Sequence, residues 1–219
     1  MTNRSHDNIT LRKRLAGLLL CVACGLSLSL TVEAALRDNS SRPGVVQTGQ
    51  EMPVPVNLQV TLLLKVLTYD RNLSRVGDTL TIGVLVDPDD PVSVAAAEQV
   101  TAILAAASGK RVKSLSIRVV RIELRANAPV DERIAESGAN VLYLTPGLQT
   151  RLEAVVQISQ AQGLVSLTGV PDFVTQGVAV GIGARQDKPE ILINLASARL
   201  EGSRFDASLL RLSRVRVLR

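Results

Sequence analysis

The chain has 219 residues, enough for one domain with appendages. It carries 25 Lys+Arg against 20 Asp+Glu, a formal charge of +5, with 46% apolar and only 2% aromatic residues. Its single His (His6) and both Cys (Cys21, Cys24) lie in the first 24 residues. Beyond them, Ser-His-Asp and Cys-His catalysis, a His/Cys zinc site, a redox dithiol and a disulfide are all excluded.

Arg12-Lys13-Arg14 form a positive n-region ahead of an apolar run from Leu15 to about Val32. Val32-Glu33-Ala34 then offers a peptidase site before Ala35, so residues 1–34 read as a cleavable export signal. Two variants stay open. The run is long for a signal, which suits an uncleaved anchor, and Cys24 is a candidate lipidation cysteine. The remaining chain is mildly basic. That balance does not call for nucleic acid, and two Phe and two Tyr offer little stacking surface for single strands. Residues 35–52 are polar and rich in Gly and Pro, a disordered linker.

A folded domain is expected over 53–219. Leu58, Leu62, Val66, Tyr69 and Leu73 recur at helical spacing. Thr79 to Val86 is a strand with a continuous apolar core, as suits burial on both faces. Asp87-Pro88-Asp89-Asp90-Pro91 turns the chain into a second helix, with Asp90 as cap and Pro91 at the first helical position. That helix runs to about Ser108, and Gly109 ends it. Leu115 to Leu124 is a strand near a sheet edge. Its apolar parity switches at Val119-Val120, which predicts a bulge.

A short helix from Asp131 to Ser137 leads to the strand Val141–Thr145. Pro146-Gly147 opens a helix that Gly163 stops, and Leu164 to Thr168 is the next strand. After a helical turn at Pro171, segments 178–184 and 191–195 read as a β-hairpin. The last 24 residues read as helical, broken at Gly202, with Phe205, Leu209 and Leu212 on one face. Strands alternating with helices imply an α/β fold. The expected architecture is a largely parallel sheet with helices on both faces, a Rossmann-like three-layer arrangement, plus a C-terminal β-hairpin and terminal helices.

Three constellations could carry chemistry. Asp87 and Asp89 follow the first strand, and Thr145 and Thr168 end later ones. In a parallel sheet all four reach the edge where ligands usually bind. The favoured reading is a turn and a helix cap; a Ca²⁺ or Mg²⁺ site is the alternative. Gly181-Ile182-Gly183-Ala184 resembles half a dinucleotide fingerprint, but it lies within a hairpin, where glycines permit close packing. The C-terminal arginines, Arg211 and Arg214 among them, form either a basic helix end or a surface for a protein partner or anionic lipid. No catalytic residue, cofactor or metal ligand is assigned.

Ile191-Leu192-Ile193-Asn194-Leu195-Ala196-Ser197-Ala198-Arg199, followed by Asp206-Ala207-Ser208-Leu209-Leu210-Arg211-Leu212-Ser213-Arg214-Val215, resembles the ending of the YfiR family. Ile82-Gly83-Val84-Leu85, Val141-Leu142-Tyr143-Leu144 and Leu167-Thr168-Gly169-Val170-Pro171 fall in that family's order, and the likeness spans about residues 54 to 217. The resemblance implies a periplasmic, non-catalytic regulator. Such a protein restrains an inner-membrane signalling partner, a diguanylate cyclase or sensor kinase, often as a homodimer. Relatives carry pairing cysteines, one of them at the start of the third strand. Here Asn140 and Val141 stand in that area. The first helix ends Leu67-Thr68-Tyr69-Asp70 where relatives have an aromatic and Trp-Pro. The alternative function is a periplasmic small-ligand-binding domain that uses the crevice at the strand ends.

The export reading predicts that N-terminal sequencing of the periplasmic protein starts at Ala35. Intact residues 1–34 in a cytoplasmic fraction would contradict it.

Overall fold

Thr79–Val86 (β1) is the strand around which the sheet is laid out. Seven of its eight residues are buried, which explains the unbroken apolar run: helices cover both of its faces. The computed structural model describes residues 51–218, apart from residues 108 and 110. The expected export signal, and all of the linker but its last two residues, lie outside the described residues. The described elements all belong to the unit Val46–Arg219, which has its own hydrophobic cores.

Val56–Leu67 (α1) precedes β1, and a 3₁₀ turn at Leu73–Val76 joins them. Pro91–Ala106 (α2) follows, then the strands Arg111–Val112 (β2) and Leu115–Glu123 (β3). Val130–Ser137 (α3), Val141–Leu144 (β4), Leu152–Gln162 (α4), Val165–Thr168 (β5), Pro171–Thr175 (α5) and Val180–Arg185 (β6) complete the alternating part. The chain closes with Lys188–Asn194 (β7), Leu195–Leu200 (α6), Ala207–Leu210 (α7) and Val215–Leu218 (β8).

The eight strands lie in the order β2-β3-β1-β4-β5-β6-β7-β8. β3, β1, β4, β5 and β6 are mutually parallel; β7 turns back antiparallel to β6, and β8 runs parallel to β7. The expected α/β sheet and hairpin are therefore present. One core lies between the sheet and α1 and α2, the other between the sheet and α3, α4 and α5. Alternation assigns the residues: Leu80, Ile82, Val84 and Val86 face the first core, Leu85 the second. Gly181 lies in β6, where an added Cβ would stand 2.3 Å from Val174 of α5. Close packing accounts for that glycine. No described helix is long and apolar enough to cross a membrane.

Two local expectations need correction. β3 has no bulge, since it pairs with β1 in unbroken register from Thr79↔Ser116 to Val86↔Glu123. Its parity switches because its cover changes. Leu115, Ile117 and Val119 pack into the first core, whereas Val120, Ile122 and Leu124 pack into the second. The edge position does hold: only the two residues of β2 pair beyond it.

The last segment is not helical to its end. α6 and α7 are short, and residues 215–218 form strand β8, paired from Ile191↔Val215 to Asn194↔Leu218. Val-Arg-Val-Leu has the period-2 pattern of a strand, and Arg216 is placed to reach Glu190 of β7, 3.3 Å away. Phe205, Leu209 and Leu212 therefore do not share one helix face. Phe205 bridges to Asp70 before α7 begins, Leu209 is buried, and Leu212 is 45% exposed.

This difference is measurable. Leu209→Ala is expected to cost about 2–5 kcal/mol of stability, as for a buried leucine. Leu212→Ala should stay within about 0.5 kcal/mol of the parent. Urea melts of both variants check this, and equal losses would contradict the packing.

Candidate functional site

The strand order places the sheet's topological switch between β1 and β4, because the chain leaves β1 towards β3 and returns to β4 on the other side. Ligand crevices in open α/β sheets form at such a point, outside the carboxyl ends of the strands. Asp87 and Asp89 follow β1, Thr145 follows β4 and Thr168 ends β5, so the fold brings these four residues to one edge.

Three of these four side chains, those of Asp87, Thr145 and Thr168, bond within the chain. Asp87 Oδ1 accepts the Asp89 N–H at 3.0 Å, closing the turn. Asp90 caps α2, accepting the Val92 N–H at 2.8 Å and the Ser93 N–H at 3.3 Å. The other Asp90 oxygen abuts Gly147, whose φ of +86° and crowded Cβ position suit glycine alone. Thr145 donates to the Leu85 carbonyl at 2.8 Å and lies 2.7 Å from Ser93 Oγ. Ser93 Oγ in turn accepts the Asp87 N–H at 2.9 Å. Thr168 donates to the Leu144 carbonyl and accepts the Val170 N–H, both at 3.0 Å. Both threonines are fully buried. Beside them Tyr143 donates to Gln59 Oε1 at 3.1 Å, and burial pushes its phenol up from the ordinary value. Among the described residues no group of three or more His, Cys, Asp or Glu could hold a metal ion.

Arg211 and Arg214 lie elsewhere, on the surface that the C-terminal segment builds at the far side of the sheet. Both are exposed, as are Arg199 and Arg204. Two large apolar side chains are exposed in the same segment, Leu200 at 61% and Leu212 at 45%.

Backbone and charge together fix this segment against the end of α1. The Arg71 N–H donates to the Arg204 carbonyl at 3.0 Å, and the Asp206 N–H to the Tyr69 carbonyl at 3.0 Å. Buried Asp70 accepts the Arg204 N–H at 2.9 Å, and Arg71 pairs with Asp206 at 2.7 Å. The Ser208 N–H and the Arg71 guanidinium hold the Asp206 carboxyl well below the usual carboxylate range. Tyr69, Asp70 and Arg71 thus join the end of α1 to the C-terminal segment.

Sequence reasoning passed over two buried carboxyls here. Glu190 is 3% exposed and sits between Arg185 at 3.0 Å and Arg216 at 3.3 Å. Glu201, 1% exposed at the end of α6, has no such cation. It accepts the Ser166 N–H at 2.8 Å and lies 2.5 Å from Ser166 Oγ and 2.8 Å from Ser159 Oγ. Burial raises its carboxyl to about 7, against the pull of the two serines. The neutral acid suits the network. Ser159 can give its one proton to the Val156 carbonyl at 2.9 Å and accept from Glu201, while Ser166 donates to Glu201 and accepts the Ala179 N–H at 2.9 Å.

These arrangements sit in a recognisable frame. A family model described as YfiR/HmsC-like matches residues 58–214. The chain belongs to the YfiR/HmsC-like family. No curated protein matches it. Among solved structures it is similar to an ABC domain from Streptococcus pneumoniae in complex with L-Trp, at 14% identity and a TM-score of 0.55, covering 75% of this chain and 62% of that one. It is also similar to a ligand-free, open substrate-binding protein with adhesive properties from Clostridium difficile. The values there are 15% identity and a TM-score of 0.52, with 76% and 60% coverage. A conserved domain protein from Vibrio cholerae gives 12% identity and 0.51, covering 75% and 60%. This YfiR/HmsC-like chain spans about three fifths of each of these structures, and at such identities they share its fold alone.

The Glu201 carboxyl sets a pH dependence. Its folded value lies near 7, above the ordinary 4.5, so the folded state holds this proton more tightly. The stability it contributes is full below about pH 4.5 and is lost as pH rises through 7. Urea melts should show stability falling between pH 5 and pH 8, by of order 3 kcal/mol. Glu201→Gln, with its amide oxygen on the Ser166 N–H and its nitrogen towards Ser159, takes away the acceptor of the Ser166 hydroxyl, so it should be less stable at pH 5 and should lack the slope. A parent stability that is flat or rising over this range would contradict the assignment.

Proposed function

We propose that this YfiR/HmsC-like protein is a periplasmic, non-catalytic regulatory binding protein that acts on an inner-membrane signalling protein such as a diguanylate cyclase. Family membership over residues 58–214 carries this reading. The charged n-region and apolar run at the N-terminus support export. The exposed C-terminal segment supports a protein partner: Arg199, Arg204, Arg211 and Arg214 are exposed in it, as are Leu200 and Leu212. Arginine with exposed leucine suits an acidic surface that has an apolar centre. The partner contacts we assign are Arg211 and Arg214, whose side chains make no ion pair among the described residues.

The alternative, a small-ligand domain with its crevice at the strand ends, has less support. The hydroxyls of Thr145 and Thr168 already bond to the backbone there. Asp87 and Asp89 remain the polar side chains it would depend on.

Capture from solubilised inner membranes, read by mass spectrometry, tests the leading proposal. The parent protein is expected to retain a diguanylate cyclase or sensor kinase. Arg211→Glu combined with Arg214→Glu should lose that partner while the urea midpoint stays unchanged, because both side chains are exposed. Undiminished capture by the double variant would remove this surface from the account, and capture of no signalling protein would overturn the function.

A further inference from the structure

α1 and α2 lie side by side on one face of the sheet and do not close on each other along their second halves. Apart from Leu104, which is buried in the core, the end of α2 faces α1 here with Ile103 and two small side chains, Ala106 and the capping Ala107. Alanine methyls do not span the gap to Val60 and Leu64 of α1. The floor is Val112 of β2 and Ile117 of β3. What remains is a mostly apolar groove of about 570 Å³. Small-molecule sites typically occupy about 300–1,000 Å³ and combine apolar walls with a few placed polar groups.

The charge at this groove has one sign. Lys65 and Arg111 line it and no carboxylate does. Lys65 is the only charged residue of α1. Among the described residues neither cation is paired with a carboxylate. The Lys65 ammonium lies 5.7 Å from the centre of the Tyr69 ring. Arg111 Nη1 donates to the Ser114 carbonyl at 2.8 Å, which leaves further N–H donors on both side chains. The other polar groups are turned inward to their own helix. Thr61 donates to the Asn57 carbonyl at 2.8 Å and Thr68 to the Lys65 carbonyl at 2.6 Å.

We propose that this groove binds a small amphipathic anion, a carboxylate on a single apolar chain. The chain lies between α1 and α2, and the carboxylate meets Lys65 and Arg111. The apolar walls supply affinity by burying the chain, and the two cations select the charge of the head. Arg211 and Arg214 do not line this groove, so the site and the partner surface stand or fall separately.

Dodecanoate, below its micelle concentration, is a direct probe in isothermal titration calorimetry of the purified full chain. Saturable binding of one dodecanoate per chain is expected, with dodecyltrimethylammonium at least about tenfold weaker. Lys65→Gln with Arg111→Gln should weaken dodecanoate by about tenfold or more. Ala106→Trp, at an exposed position on the groove wall, should block binding while the urea midpoint is kept. Absence of saturable binding would overturn the proposal. So would equal binding of the cation, or binding indifferent to Ala106→Trp. Sedimentation supplies the remaining outcome: a parent dimer that Ala106→Trp converts to monomer would give the groove to a second copy of the chain and overturn the ligand assignment.

Discussion

The Glu201 carboxyl joins the end of α6, to which it belongs, to two consecutive elements far upstream: α4 through Ser159 and β5 through Ser166. A charged carboxylate buried without a cation would be strongly disfavoured, so the contact is sound only while the acid is neutral or the serines compensate. The chain beyond it depends on this contact. Residues 202–206 run from Glu201 to the end of α1, where Asn72 donates to the Gly202 carbonyl at 2.7 Å and Asp70 accepts the Arg204 N–H. α7, β8 and the exposed arginines follow. The basic surface is therefore held to the parallel core by this buried acid and the end of α1, together with the pairing of β8 on β7 and the buried Leu209.

Three buried carboxyls in this region show three solutions to one problem. Asp70 is satisfied by backbone N–H groups, from Asn72 at 2.9 Å and Arg204 at 2.9 Å. Glu190 is flanked by two guanidinium groups, and Glu201 bonds to serines. Arg185 and Arg216 are committed to Glu190, whereas Arg211 and Arg214 are not. The proposed partner surface depends on such uncommitted cations on a rigid support. The α1–α2 groove differs in kind, since it is apolar with a cationic rim, and it opens over the opposite end of the sheet at β2 and β3.

Much of this fold was legible in the residues. The apolar run Thr79–Val86, the cap at Asp90 with Pro91, and the glycine that ends α4 marked their elements because local chemistry and tertiary packing agree there. Legibility failed where tertiary context decides. The parity switch in β3 records a change of cover between two cores, and a single strand cannot be told from a bulged one by alternation alone. Residues 215–218 are too short a run to separate from a helix end, and their pairing with β7 is long-range information. Glu201 follows a small-residue helix and reads as a solvated terminus; only the fold reveals the two serines beside it. The aspartates and threonines at the strand ends were grouped by topology, but the hydroxyls' use by backbone carbonyls is invisible without coordinates. Nothing local to the alanines at the end of α2 says that a gap is left beside α1.

The account turns on the state of one acid. Carbon-13 NMR of the glutamate side-chain carboxyls, with Glu201 assigned by comparison with Glu201→Gln, reads that state residue by residue. The account predicts a Glu201 carboxyl that titrates near pH 7, apart from the exposed glutamates. A midpoint near the ordinary 4.5 would mean a solvated or cation-paired carboxylate, and would contradict the neutral contact that holds the C-terminal surface in place.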